Sequence, residues 1–416
     1  MAQQRLRFGS APRRRRSLCL ECRGYKHLCG KRLCPIVART KTYSDLRRMV
    51  LNEEIVGSTP PAVFVGVWGY PKVFAGPMVP PLEENTSHLD DPSTWLDKPL
   101  EEILSNRLLL LRGKLQARVT LASYPDGLLA ASQELAMSSH PVQVEMCFSH
   151  YPRLKVVFSD REPPMGPSAP VKNLVLGENP RIERPIDRVV SDGDLHAQEA
   201  VKELYFCGVS QQQIMRLFSI GLLGIEKQRR LVPTRWSITA IDDILAKFLR
   251  EKVLEYPLIH NFQVFGFSAH GNTVSLLLLP SPWMFEGLEA WHAGNPLVQP
   301  YSDHELSQGR KNYAKNLEGA YYATRLPVLE YLHRQRRQAG AIVFLEVDSR
   351  GWIPLGVWRF REILRRALQK KPECYDNLGE ALHSVGRKLF IPLGKWLESS
   401  HLLKMFKHQK KLSDFL

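Results

Sequence analysis

What this chain lacks narrows it first. No stretch approaches the roughly 18 uninterrupted apolar residues that a membrane-spanning helix needs. The arginine-rich start runs into Ser17-Leu-Cys-Leu-Glu, without the apolar core, about 7–15 residues long, of a secretory signal. No membrane partner is therefore expected, and the expected compartment is the cytoplasm. The patterns G-x4-G-K-[ST], G-x-G-x-x-G, H-E-x-x-H and G-x-S-x-G are absent, which removes the common nucleotide-loop, zinc-protease and serine-hydrolase signatures. Gly266-Phe-Ser268-Ala-His270-Gly271 only approaches the last of these, and its place in an expected hairpin makes Ser268 and His270 ordinary turn residues. No repeat of fixed period is present.

Cysteine is sparse except at one place. Of seven, Cys147, Cys207 and Cys374 are scattered singly, while Cys19, Cys22, Cys29 and Cys34 fall within sixteen residues. C-x2-C followed by C-x4-C supplies four soft ligands from two turns, as a structural zinc ion requires. Gly24 and Gly30 each follow closely on a ligand, where a tight knuckle favours a left-handed backbone. The alternative, two disulfides, fits poorly with a chain that does not read as secreted. Four protein ligands leave no open position, so the expected zinc is structural.

Acids are nearly missing from the same region. Residues 1–50 hold fourteen Lys and Arg against Glu21 and Asp45, so twelve of the net fifteen positive charges lie there. A cationic head on a nearly neutral body is the footprint of a polyanion contact, most often nucleic acid. Arg13, Arg14, Arg15 and Arg16 are the expected phosphate contacts; the bland alternative is a solvated arm without a partner.

The pattern C-x2-C-x-G-x4-C-G-x3-C-P resembles the amino end of the archaeal Nre DNA-repair proteins. Blocks at 231–243, 318–325 and 354–362 are similar to that family too. The tail, Gln409-Lys-Lys-Leu412-Ser-Asp-Phe415-Leu416, resembles the PCNA-interacting peptide, Gln-x-x-aliphatic-x-x-aromatic-aromatic, with Leu416 in place of the second aromatic. Leu412, Phe415 and Leu416 stand at i, i+3 and i+4, so one turn gathers them into a plug beside Gln409. The resemblance implies a DNA-repair protein recruited to DNA by the sliding clamp PCNA, nucleoid-associated within the cytoplasm.

The expected layout is a basic arm (1–16), a four-cysteine zinc knuckle (17–40), a mixed body (55–406, with a possible subdivision near 190) and a PCNA-interacting tail (407–416). Strand-like runs at 62–68, 115–121, 142–148, 154–158 and 341–347 mix irregularly with helical stretches, giving an α+β fold. A hairpin is expected around Gly271-Asn272, and a long helix from about 313 to 338 interrupted by Pro327.

Within the body, Arg235 and Trp236 precede a helix expected to open at Thr239-Ala-Ile-Asp242. A guanidinium, an indole and a helix N-terminus would make a phosphodiester or nucleotide site. Equally, Thr239 and Asp242 form a capping box, Trp236 is core and Arg235 pairs with an acid. Glu318, Tyr321, Tyr322 and Arg325 share a helical face, either lining a pocket or forming a buried ion pair with packed tyrosines. Asp192-Gly-Asp194-Leu-His196 offers hard ligands for Mg2+ or Mn2+, or a helix cap. Arg334, Arg336 and Arg337, then Arg359, Arg361, Arg365, Arg366, Lys370 and Lys371, form either a second DNA-facing patch or solvated helix faces. Three functions stay open. The body recognises or processes damaged DNA; it is an enzyme acting on a nucleotide or nucleotide-derived group through Arg235, Trp236, Asp242, Glu318, Tyr322 and Arg325; or it is a non-catalytic repair adaptor.

Overall fold

A computed structural model describes residues 18–31, 33–49, 53–152, 164–351 and 355–408. The arm with Arg13–Arg16, the expected strand at 154–158 and the tail residues Gln409, Leu412, Phe415 and Leu416 lie outside the described residues. The expected α+β class holds, with thirteen α-helices and two six-stranded mixed sheets among the described residues.

The first sheet holds β1 (Glu54–Thr59), β2 (Val63–Val65), β3 (Lys72–Val79), β4 (Leu111–Arg118), β5 (Val142–Phe148) and β6 (Ser168–Leu176), in the order β1-β5-β6-β4-β3-β2. Only the β4–β6 pair is parallel. The second sheet holds β7 (Phe262–Ala269), β8 (Asn272–Leu279), β9 (Met284–His292), β10 (Tyr301–Glu305), β11 (Gly340–Asp348) and β12 (Glu373–Tyr375), in the order β10-β9-β11-β8-β7-β12. Here β11 runs parallel to β9 and antiparallel to β8. Its insertion between them makes β8 and β11 the centre of the sheet.

That position explains their composition. Leu276 and Leu278 of β8, with Val343 and Leu345 of β11, face one apolar core; Leu277, Leu279, Ile342 and Phe344 face a second on the opposite side. Strands covered on both faces read as continuous apolar runs rather than alternating ones. The larger core continues through a helical middle layer to the first sheet, and the smaller is covered by Leu378–Lys388, Leu393–Ser399 and His401–His408.

Buried carboxylates on this sheet fasten those outer segments. Glu286 of β9 accepts N–H groups of His401 (2.8 Å) and Leu402 (3.1 Å), capping the last described helix. Glu346 of β11 accepts those of Phe390 (2.8 Å) and Ile391 (2.6 Å). Each charge is thus placed against otherwise unmatched backbone donors.

Several local expectations change. The helix expected to open at Thr239 begins at Thr234 and runs to Val253, so Thr239 and Asp242 are interior and form no capping box. Asp192 does not start a helix. It follows Arg184–Ser191, its Oδ1 accepting N–H groups of Asp194 (3.0 Å) and Leu195 (3.1 Å), and the next helix is Ala197–Phe206. The Asp192–His196 segment therefore closes a turn between two helices. The hairpin at 271–272 is present, its turn made by His270 and Gly271 in left-handed conformations, and Ser268 Oγ bonds Thr273 Oγ1 across it (2.9 Å). The long helix is Gly319–Gln335, with Pro327 inside it.

Of the cations expected as a second DNA-facing patch, Arg359, Arg361 and Arg365 are turned inward, while Arg334, Arg336, Arg337, Lys370 and Lys371 are exposed. Arg361, 8% exposed, pairs with fully buried Asp242 at 2.6 Å, and Arg365 binds Glu330 (2.7 Å) and Glu362 (3.0 Å). Arg366 pairs with Asp97, and buried Arg359 lies over the Trp291 and Phe360 rings. Replacing Asp242 by Ala removes the nearer counter-charge of buried Arg361 and leaves Glu362 at 3.7 Å, which should cost about 3 kcal/mol of stability. Denaturant titration measures this; a loss below about 1 kcal/mol would show that the pair holds nothing together.

Candidate functional site

Thr234 explains where Arg235 and Trp236 end up. The edge strand β2 has a free N–H at Val65, and Thr234 Oγ1 accepts it at 2.9 Å while also bonding Ser219 Oγ at 3.1 Å. The helix start is thereby pinned against the β2–β3 hairpin. The next two side chains face outward. Trp236 is 46% exposed and its ring lies 5.3 Å from that of Tyr70, on the hairpin loop that also carries exposed Trp68. Trp236 is therefore not the core residue of the bland reading.

Arg235 reaches across to Glu318 at 3.5 Å, both side chains well exposed. An ion pair in that setting contributes about 0–1 kcal/mol, so it leaves both groups available to a ligand. Glu318 itself has φ 48° and ψ −127°, a conformation that costs a non-glycine residue of order 1–3 kcal/mol. The preceding loop holds it there. Asp303 Oδ2 accepts the N–H groups of Asn316 (2.8 Å) and Leu317 (2.9 Å), and Arg310 grips Asp303 at 3.0 Å.

The helical face expected to carry Glu318, Tyr321, Tyr322 and Arg325 together is split by this geometry. Glu318 stays outside. Tyr322 is buried, accepts the Ala314 N–H at 3.1 Å and stacks on Tyr313, so it fastens the loop. Arg325 is 2% exposed and binds Glu305 at 2.8 Å, with Asp243 at 3.6 Å. The expected buried ion pair exists, but its acid is Glu305 of β10 rather than Glu318. Asp242 is walled off in the Arg361 pair. Of the six body candidates, only Arg235, Trp236 and Glu318 share an open surface.

Near enough to Glu318 to feel its charge sits a buried carboxyl that the sequence did not single out. Glu289 of β9 is 5% exposed, and burial pushes it up to about 7, against the Trp291 indole (2.5 Å) and the Arg359 charge, with Glu318 raising it further. Its signal was an acid inside the apolar run Met284–Ala290. Because its folded value lies above its unfolded one, it takes up a proton on folding. Stability falls as pH rises from about 4.5 to 7, by on the order of 2–3 kcal/mol. Glu289→Gln should flatten that dependence and raise stability at pH 8. An unchanged pH profile would show that Glu289 is ionised throughout.

A polar cavity of about 570 Å3 lies elsewhere, between the His270 turn, His292, Asp348, Arg350 and Arg387–Phe390. The cysteine head docks at its rim. Lys31 Nζ donates to the Ser349 carbonyl at 3.3 Å, and a Cβ on Gly30 would lie 3.8 Å from the Arg350 side chain. Within the head, Cys19 and Cys22 occupy the short helix Leu18–Cys22, and Cys34 immediately precedes the helix Pro35–Met49. Gly24 has φ +85°, and a Cβ there would lie 3.6 Å from Cys34 Sγ, so the two halves face each other. N–H groups of Leu28, Gly24, Lys26 and His27 aim at the Cys22 sulfur and hold its thiol below the usual range. Among the described residues, no three His, Cys, Asp or Glu side chains converge as a metal site, and no helix is long and apolar enough to cross a membrane.

The geometry defines a two-sheet α+β protein with a cysteine-rich head and an open cation–aromatic face. Its family is given by sequence. Residues 28–296 match the archaeal Nre N-terminal family model and 305–415 the C-terminal one; the chain belongs to the archaeal Nre family. It is 38% identical to the DNA repair protein NreB of Archaeoglobus fulgidus, over 96% of this chain and 100% of that protein. NreA of the same organism is 36% identical over 89% and 93%, and NreA of Haloferax volcanii 32% over 88% and 91%. No solved structure matches. The two matched regions meet inside the second sheet, with β11 of the later one inserted between β8 and β9 of the earlier.

Proposed function

We propose that this chain is a DNA-repair protein that engages DNA through a zinc-stabilised basic head and is brought there by the sliding clamp PCNA. The observation that carries the reading is similarity along nearly the whole chain to proteins named for DNA repair. The body then recognises or processes damaged DNA.

Zinc would be held by Cys19, Cys22, Cys29 and Cys34. The donor set suits it, and the Gly24 knuckle lying against Cys34 brings the two halves together. N–H groups directed at a sulfur, as at Cys22, favour the thiolate that a metal requires. The ion would supply cross-linking of the head rather than chemistry. Purified protein should contain one zinc per chain by elemental analysis, falling well below that in Cys22→Ser; a metal-free wild type would overturn the assignment.

Arg13–Arg16 would contact phosphates, so affinity should fall steeply with salt. Each phosphate contact contributes about 0.9 to the slope of log affinity against log salt, and replacing all four by Ala should reduce that slope by about 3–4. At the other end Gln409, Leu412, Phe415 and Leu416 would plug the clamp, raising effective concentration at DNA through a second tether. Removing 409–416 should abolish clamp binding and spare DNA affinity measured without clamp. Clamp binding that survives the truncation would sink the tail assignment.

A second reading, an enzyme acting on a nucleotide or nucleotide-derived group, draws on Glu289. A buried carboxyl near 7, close enough to Glu318 to feel its charge, suits proton transfer, with Mg2+ or Mn2+ as an added requirement. A new product from damaged DNA or free nucleotide, lost in Glu289→Gln and Arg235→Ala, would select it. A non-catalytic repair adaptor remains if neither variant changes any product.

A further inference from the structure

We propose that the tip of the β2–β3 hairpin and the start of the Thr234–Val253 helix form a stacking platform for unpaired nucleobases of a DNA strand. The proposal rests on the DNA-binding reading above and names where in the body, and in what form, DNA is held.

Three rings carry it. Trp68 is 86% exposed, Tyr70 47% and Trp236 46%, and the last two lie 5.3 Å apart at 51°. Large aromatic rings left in water forfeit apolar burial, and here three are collected at one place from two separate elements. The collection is built rather than incidental. The Val65 N–H to Thr234 bond fixes the helix to the hairpin, and the loop is closed by Lys72 N–H on the Gly69 carbonyl (2.9 Å) and Val119 N–H on the Pro71 carbonyl (2.9 Å).

Charge selects the occupant. At the loop end of the hairpin Lys72 of β3 stands directly opposite Arg118 of β4, both exposed. Like charges paired across antiparallel strands repel, and a polyanion removes that penalty. On the same face Lys114 lies over the Phe74 ring at 5.5 Å, and β2, β3 and β4 contain no Asp or Glu. Arg235 adds an exposed guanidinium one residue before Trp236, within reach of Glu318. Rings alternating with cations suit bases stacked on aromatic faces with their phosphates beside them, and single strands offer both. An apolar protein partner would bury the Lys72 and Arg118 charges without neutralising them.

The test uses the full chain with a fluorescent oligo(dT) strand, its duplex and a duplex bearing one unpaired base. Trp68→Ala with Trp236→Ala should weaken binding to the single strand and to the unpaired base about tenfold or more, and leave perfect-duplex affinity within about twofold. Trp68→Phe with Trp236→Phe should retain binding, and dT should quench wild-type tryptophan fluorescence. Salt-sensitive DNA binding by wild type that is unchanged in the Ala variant, without quenching, overturns the platform alone. A wild type that binds no DNA overturns the underlying reading as well. Retained single-strand affinity in a Trp68→Leu, Trp236→Leu variant would show that stacking does not hold the strand, and self-association that the Ala variant abolishes would assign the rings to a protein contact; either result overturns the proposal.

Discussion

The Asp242–Arg361 contact is the constraint on which the middle of this protein depends. Asp242 has no solvent exposure, and its counter-charge arrives from a helix more than a hundred residues later. Gln211 donates to the same carboxylate and is itself bound by Arg365 (2.7 Å), which holds Glu330, which in turn accepts the Tyr205 hydroxyl (2.9 Å). Four helices and a fifth at Tyr205 are thereby tied into one polar network inside an apolar layer. Burial alone would raise Glu330, yet Arg365 and Tyr205 keep it below the usual carboxylate range. Such a network is costly when half satisfied, so it admits one arrangement of the helices.

That arrangement sets the exposed face. The helices Thr234–Val253 and Gly319–Gln335 pack side by side. Their N-terminal ends meet at the surface, and Arg235 and Glu318 face each other there as a consequence. The strain at Glu318 is held by the Asp303–Arg310 loop clamp, while Tyr322 and Arg325 serve the interior. Residues that looked like one functional row divide into an outer pair and an inner support.

The second sheet follows the same logic of placing charge where backbone needs it. Glu286 and Glu346 lie within largely apolar strands, and each meets two backbone N–H groups of a covering segment. Because β11 enters between β8 and β9, the two matched family regions share a sheet and an apolar core. The cysteine head rests on this half through Lys31 and the Arg350 loop, which puts Gly30 and Lys31 beside the polar cavity.

Local chemistry was legible in the sequence wherever it acts over a few residues. The Val142–Phe148 alternation, the hairpin expected around Gly271-Asn272 (its turn falls one residue earlier), the Ser210 cap on the Gln213 N–H and the burial of Ala341–Val347 follow from period, turn chemistry and composition. The four-cysteine spacing and the cation excess are likewise sequence properties. What reads two ways locally was decided by distant partners. Thr239 and Asp242 match a capping box, but the helix opens one turn earlier, where Thr234 is anchored by Val65 across 169 residues. The basic helix at 358–368 matches a DNA-facing patch, yet acids from other elements turn much of it inward. Trp68 reads locally as the end of a strand over 62–68, but β2 stops at Val65 and leaves Trp68 in the loop with Tyr70, where their meaning depends on Trp236 arriving beside them. Sequence determines which groups the chain carries and their short-range order; only tertiary packing decides which are neutralised, because a charge or a ring is defined by what lies next to it.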